Sequence, residues 1–173
     1  FSFAMGTALL ASVVIDMGQN PHLGRTVSRG GPDAAHVFAR ATVNKVLTGI
    51  VIISAVFAGM TLLSFPAETV HATALMIGWG LSLTVLDGIR SLMRALGRMG
   101  SDSLINGLES VGRLAAVGLV AWLDLGVVGF TFAFVLESTV AAAVAAATVS
   151  RHVRLVPTAA EWAANASFAR QAL

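Results

Sequence analysis

One long apolar stretch limits most strongly what this chain can fold into. Residues 46–67 contain no charged side chain, and a helix needs about 20 mostly apolar residues to cross the roughly 30 Å hydrocarbon core of a bilayer. Composition supports the same conclusion, because 56% of the residues are hydrophobic and only 12% are charged. A small water-soluble domain needs more charge than that to cover its surface. We therefore predict a membrane protein.

Four further apolar stretches accompany the first, although three of them carry internal charges. The predicted spans are about 1–18, 39–65, 69–96, 103–123 and 127–150. Residues 19–32 contain several helix breakers and are predicted to form a loop, and the other connections are short, so successive helices are expected to be antiparallel. The pattern predicts an all-α, polytopic transmembrane bundle with five spans.

Both ends of the chain are expected to continue into a longer protein. The chain opens at Phe1 inside an apolar stretch and closes at Leu173, after a segment, 157–173, with an amphipathic pattern. This last segment is predicted to be a cytoplasmic amphipathic helix leading into a further membrane span.

Nine basic residues fall on one side of the five-span arrangement. They are Arg25, Arg29, Arg40, Arg90, Arg94, Arg98, Arg151, Arg154 and Arg170. The opposite turns, near Pro66 and Asp124, contain no basic residue. Because cytoplasmic loops are enriched in Lys and Arg, the basic side is predicted to lie in the cytoplasm.

Three charged side chains are predicted deep within the fourth and fifth spans. Arg113 lies about ten residues, or about 15 Å, into its span, and Glu109 precedes it by one turn. Glu137 and Arg113 are equally far from the turn near Leu125, so an antiparallel hairpin brings them to the same depth. We predict that they approach each other. Two interpretations stay open: an ion pair that holds two helices, or a cavity cation that meets an anionic substrate.

A second polar set lies toward the predicted cytoplasmic end. Asp87, Arg90 and Arg94 share one helix face because their spacings are three and four, and Lys45 and Asp16 lie toward the same end of their own spans. These residues predict a polar vestibule open to the cytoplasm. The alternative is that the arginines extend to the membrane interface, which suits Arg94 better than Arg90.

Several function classes find no support in the sequence. The chain has no cysteine, its histidines are scattered rather than clustered as metal ligands, and no phosphate-binding glycine loop or catalytic nucleophile motif is present. Basic residues interrupt apolar runs instead of forming the polar face of a nucleic-acid binder. We expect no enzymatic activity, cofactor, metal or nucleic-acid partner.

Four segments resemble a family of bacterial polysaccharide flippases, in pattern and in order. They are 16–25 (DMGQNPHLGR), 88–99 (GIRSLMRALGRM), 126–130 (GVVGF) and 168–173 (FARQAL). The first resembles the loop that follows the family's second helix, and the second resembles the end of its fourth helix. The third resembles the turn into the sixth helix, and the last resembles the approach to the seventh.

The resemblance implies membership of the multidrug/oligosaccharidyl-lipid/polysaccharide exporter superfamily, whose proteins have two pseudo-symmetric lobes. This chain is then expected to provide helices two to six of the first lobe, with the second lobe supplied by the rest of the same chain. The implied work is alternating-access translocation of undecaprenyl-diphosphate-linked oligosaccharide across the bacterial inner membrane.

Depth and charge, rather than family motifs, select the candidate site residues. The candidate substrate-binding cations are Arg113, Arg90, Arg94 and Lys45, and their polar partners are Glu137, Glu109, Asp87 and Asp16. A cation-coupled multidrug exporter of the same superfamily is an alternative, in which Asp16, Asp87 and Glu137 bind the coupling ion. A second alternative is a membrane scaffold protein that transports nothing, and a soluble helical bundle is a more distant one.

Overall fold

Helices account for all regular structure in the described part of the chain. The computed structural model describes residues 2–28 and 34–150. Its helices are α1 (Ser2–Asp16), α2 (Gln19–Ser28), α3 (Ala34–Leu62), α4 (Ala67–Ala95), α5 (Met99–Leu123) and α6 (Gly126–Ser150). No β-strand occurs among these residues, which confirms the predicted all-α class.

Four helices are long and apolar enough to cross a membrane. They are Val37–Leu62 within α3, together with α4, α5 and α6. The count becomes five if α1 and the beginning of α2 form one bent span. The fold is therefore a polytopic helical bundle, and the predicted first span, 1–18, falls on the first part of this bent pair of helices.

The prediction of a loop over residues 19–32 is wrong for its first part, which forms α2. Pro21 is the third residue of α2, where the backbone N–H that proline lacks has no partner within the helix anyway. The helix interruption falls earlier, at Met17 and Gly18, which both have positive φ values of 44° and 74°. The chain bends there by 40°.

Some sequence predictions fall on residues that the structure does not describe. The amphipathic segment 157–173 lies outside the described residues, and so do Arg29, Arg151, Arg154 and Arg170.

Helix α4 is the centre of the bundle. More than half of its most apolar window is buried, whereas fewer than one in five residues are buried in the corresponding windows of α3, α5 and α6. It packs against α1, α2 and α3 along one part of its surface and most extensively against α6 along another. Polar residues that α4 carries are consequently placed within reach of nearly every other helix.

Two apolar clusters hold the helices against α4. In one, small side chains of α1 such as Ala4, Ala8 and Ala11 meet Met76 and Trp79 of α4. Small residues allow helix axes to approach closely, which is the usual basis of helix association in lipid. The second cluster joins Leu23, Phe38, Leu86, Ile105 and Val149, so it brings together α2, α3, α4, α5 and α6.

Large apolar side chains cover much of the outside of the bundle. Trp122 is 81% exposed and Leu114 is 75% exposed. Contiguous apolar surface of this kind is rare on soluble monomers. It suits a helix bundle whose outer faces contact lipid or further membrane helices.

Candidate transport site

Arg90 of α4 is surrounded by acceptors from its own helix and from α5. Its Nη2 pairs closely with Glu109 and also donates to Asn106 Oδ1 at 2.9 Å. Its Nη1 lies 3.4 Å from Asp87, and its Nε lies 3.9 Å from Asp102. The side chain is only 13% exposed, so Arg90 joins α4 to α5 through charge-assisted contacts.

Glu109 carries this network one step further along α5. One of its carboxylate oxygens accepts from Arg90 and the other from Arg113, one turn later. The glutamate side chain is 7% exposed, whereas that of Arg113 is 37% exposed. The carboxylate is satisfied by two cations, and Arg113 is the more accessible of the two.

Glu137 of α6 is the last member of this network of charged side chains, at the depth that the sequence predicted. Arg113 Nε lies 3.9 Å from Glu137 Oε2, which confirms that these two residues approach each other. This distance is too long for a hydrogen bond, and neither oxygen of Glu137 has a hydrogen-bond partner within the described part of the chain. We call Arg90, Glu109, Arg113 and Glu137 the polar chain.

The polar chain borders an apolar groove between α5 and α6. The groove has a volume of about 420 Å³. Glu109 and Glu137 contribute to its wall, with Gly112, Ala116 and Leu136 among the other lining residues. The two carboxylates are therefore the polar features of a largely hydrophobic surface.

Lys45 makes a separate set of contacts at the break between α1 and α2. We call Lys45, Asp16, Asn20, Thr84 and Ser91 the Lys45 cluster. Lys45 Nζ lies 3.0 Å from Asp16 Oδ1 and donates to Asn20 Oδ1 and to the carbonyl oxygen of Thr84 at 2.9 Å. Ser91 Oγ donates to the Asn20 carbonyl. With 3% of its side chain exposed, Lys45 joins α1, α2, α3 and α4.

Two open polar grooves lie beside the Lys45 cluster. One, of about 610 Å³, is lined by residues that include Asn20, Asp87, Ser91 and Arg94. The other, of about 300 Å³, includes Asp16, Asn20 and Asp87. Asp87 thus borders both grooves and also pairs with Arg90.

Arg94 and Arg113 are the more accessible of the four candidate cations. The Arg94 side chain is 56% exposed and lies 3.7 Å from Asp102, at the wall of the larger polar groove. Arg90 and Lys45 are enclosed by acceptors instead. The structure therefore groups Arg90 and Arg113 in the polar chain, leaves Arg94 at its edge, and assigns Lys45 to another cluster. A substrate-binding role for any of them stays a prediction.

Sequence reasoning missed four uncharged or peripheral participants: Asn20, Thr84, Asp102 and Asn106. A signal for two of them was available. Residues 102, 106, 109 and 113 follow one another at spacings of four, three and four, which places them on one face of α5. The Thr84 contact has no such signal, because it uses a backbone carbonyl that any residue provides.

The polar chain combines equal numbers of positive and negative groups. Two arginines and two glutamates alternate along the polar chain, and no group of three or more candidate metal ligands occurs in residues 2–28 and 34–150. A guanidinium that is partly open can bind an oxyanion through two parallel N–H donors. Arg113 has that character.

The fold and the site together define a multi-pass membrane protein with charged groups inside a helical bundle. Over residues 1–170 the chain matches a protein family described as "Polysaccharide biosynthesis protein". It belongs to that family, which confirms the resemblance to polysaccharide flippases and supports a membrane transporter of the flippase type in general. No individual curated protein and no solved structure matches the chain at a significant level.

Proposed function

We propose that the chain forms most of one lobe of an exporter for undecaprenyl-diphosphate-linked oligosaccharide, a transporter rather than an enzyme. Family membership supports a role in polysaccharide biosynthesis. The observation that carries the substrate class is Arg113, a partly exposed guanidinium within a membrane-spanning helix. Charged groups at such depth are costly and usually serve a cavity or pathway.

The contacts of Arg113 support a role in binding the diphosphate of this substrate. Arg90 is enclosed by four acceptors, whereas Arg113 has one close partner in Glu109 and one distant partner in Glu137. Arg113 can therefore redirect donors toward a phosphate oxygen without leaving Glu109 unpaired, because Arg90 still holds that carboxylate. Arg94, at the larger polar groove, provides a second cation nearer the end of α4.

The proposed arrangement in the membrane follows the distribution of arginines. The last turn of α4 carries Arg94 and the α4–α5 turn carries Arg98, whereas the α3–α4 and α5–α6 turns carry no arginine. Under the positive-inside rule, the α4–α5 turn is cytoplasmic in the bacterial inner membrane. The polar grooves that Arg94 and Asp87 line then open toward the side on which the lipid-linked sugar is made.

A second lobe of the same chain is part of the proposal. Alternating access moves one repeat or lobe against another around a shared binding site. The exposed apolar faces of α5 and α6 provide surface for lipid and for such a partner. The bilayer and the lipid-linked oligosaccharide are the other proposed partners.

Replacing Arg113 with Gln tests the substrate role. The full-length Arg113→Gln protein is expected to reduce delivery of lipid-linked sugar to the outer leaflet by at least about tenfold, since a lost charge-assisted contact is worth about 1.5–3 kcal/mol. Delivery is measured by surface polysaccharide in cells, with protein abundance measured in the same membranes.

Arg98→Gln is the matched control, because Arg98 is an exposed arginine in the α4–α5 turn and is expected to leave delivery unchanged. Normal delivery by Arg113→Gln at normal abundance contradicts the substrate role. A fall in abundance that accounts for the whole loss of delivery indicates a structural ion pair instead.

A further inference from the structure

Glu137 has an environment that the substrate role of Arg113 does not explain. Its side chain is 7% exposed, it lines the apolar groove between α5 and α6, and neither of its oxygens accepts a hydrogen bond from the described residues. Buried carboxylates in proteins are normally paired and hydrogen-bonded. Among the described residues, the cation within 4 Å of Glu137 is Arg113, whose Nε lies 3.9 Å from Oε2.

The other charges near Glu137 distinguish it from Glu109. On α5, Arg113 faces it at 3.9 Å and Glu109 borders the same groove. On α4, Arg90 pairs closely with Glu109. Among the described residues, Glu109 therefore keeps one close cation whatever Arg113 does, whereas Glu137 is left with the more distant attraction of Arg90.

Anion binding at Arg113 weakens the pairing of Glu137 and leaves the pairing of Glu109 with Arg90 in place. An oxyanion that engages the guanidinium draws its free donors away from Glu137 and adds negative charge beside it. Glu137 is then an unpaired carboxylate against an apolar wall, and an isolated buried carboxylate is costly enough that it becomes neutral instead. A proton is transferred from hydronium or a buffer acid to one lone pair of a Glu137 oxygen. An O–H bond forms at Glu137, the donor's bond to that proton breaks, and the donor's conjugate base stays in solution.

We propose that Glu137 is a proton-binding site linked to Arg113, so that binding of a diphosphate at Arg113 is accompanied by uptake of one proton at Glu137. The inference rests on the proposed function, because it takes Arg113 as the cation that meets the substrate. The linkage is reciprocal: protonation of Glu137 releases Arg113 and strengthens anion binding, by the same factor as anion binding strengthens proton binding. Affinity for the diphosphate therefore rises as the pH falls through the range in which Glu137 titrates.

Calorimetry with a small substrate mimic tests the linkage. Farnesyl diphosphate is titrated into the full-length protein in detergent, in two buffers with different ionisation enthalpies, at a pH where the free diphosphate is fully ionised. The difference between the measured heats gives the number of protons taken up for each ligand bound. Farnesol, which lacks the anion, is expected to cause no proton uptake.

The Glu137→Gln variant is expected to bind farnesyl diphosphate with a weaker pH dependence and to take up one proton fewer than the native protein. Glu68→Gln is the matched control, because Glu68 is exposed in the first turn of α4, and it is expected to match the native protein. Infrared difference spectra of the native protein provide a readout that needs no variant, since a protonated carboxyl band should appear when the diphosphate binds.

Each outcome distinguishes the linkage from the transport proposal. Binding with equal proton uptake in the native protein and in Glu137→Gln overturns the linkage and leaves the proposed function standing. Binding without a new carboxyl band in the native protein also overturns it. Failure of the native protein to bind the diphosphate at all contradicts the proposed function, and with it the inference built on it.

Discussion

At the level of single residues, the arrangement of acceptors decides which cation is free to act. Arg90 and Arg113 both pair with Glu109, yet Arg90 also contacts Asp87, Asp102 and Asn106. A guanidinium has five donors in a fixed planar fork, and those of Arg90 are directed at several partners. Arg113 has fewer partners and greater exposure, so two equal charges have different surroundings.

Lys45 shows the opposite case, a cation enclosed by oxygen atoms from three other helices. Lys45→Met is expected to destabilise the protein by roughly 3–5 kcal/mol, the usual cost of removing one partner from a buried ion pair. The physical reason is that Asp16 and the Thr84 carbonyl lose their donor. The measurement is the thermal unfolding midpoint in detergent, with abundance in the membrane as a second readout.

Asn44→Met is the control for this substitution, because Asn44 is the exposed neighbour of Lys45. The double variant Lys45→Met with Asp16→Asn is expected to recover part of the lost stability, since the uncompensated charge is removed. A Lys45→Met protein as stable as the Asn44→Met protein would show that the Lys45 cluster does not hold the helix break together.

At the level of helices, α4 has the most central position. It contacts all the other described helices, and its polar residues Thr84, Asp87, Arg90 and Ser91 serve the Lys45 cluster, the polar chain or both grooves. Its close approach to α1 depends on small residues. A Cβ placed on Gly80 would lie 3.2 Å from the Ala8 carbonyl oxygen.

Gly80→Val is expected to separate α1 from α4 and to destabilise the protein by about 1–3 kcal/mol, the usual cost of overpacking a tight contact. Gly78→Val is the matched control, because a Cβ on Gly78 meets nothing within 4 Å while the helix and the side chain are the same. Unfolding midpoints of the two variants in detergent check the difference. Equal midpoints would mean that α1 and α4 do not depend on this contact.

Helix α2 shows how a local sequence pattern misleads. Pro21 and its polar neighbours favour a loop, but they form the first turn of α2, where proline is tolerated. The interruption occurs at Met17 and Gly18 instead. Contacts from Lys45 and Ser91 to Asn20 hold the resumed helix, and these contacts come from α3 and α4, far away in sequence.

At the level of the whole molecule, the alternation of basic and non-basic turns predicts which ends of the helices share a side. Cysteine labelling tests this orientation, because residues 1–173 contain no cysteine of their own. Glu68→Cys and Leu125→Cys, in or beside the turns without arginine, are expected to react with an impermeant maleimide in intact spheroplasts. Met99→Cys, which begins α5 and is 67% exposed, is expected to react only after the membrane is opened.

Labelling of all three positions after permeabilisation shows that each thiol is reachable. If Met99→Cys reacts in intact spheroplasts while Glu68→Cys does not, the orientation is reversed, and the polar grooves then open to the outside.

The sequence by itself determined the membrane environment, the helical class and the approximate bounds of α3 to α6, because bilayer thickness requires long apolar runs and their ends carry turn residues. It also determined that Arg113 and Glu137 share a depth, since both are counted from one short turn. Only the tertiary structure decided that Arg113 is more accessible than Arg90 and Lys45, that Lys45 belongs to another cluster, and that Glu137 accepts no hydrogen bond from the described residues. Those facts depend on how α4 packs among helices distant in sequence, and helical spacing specifies a face but not the neighbour it meets.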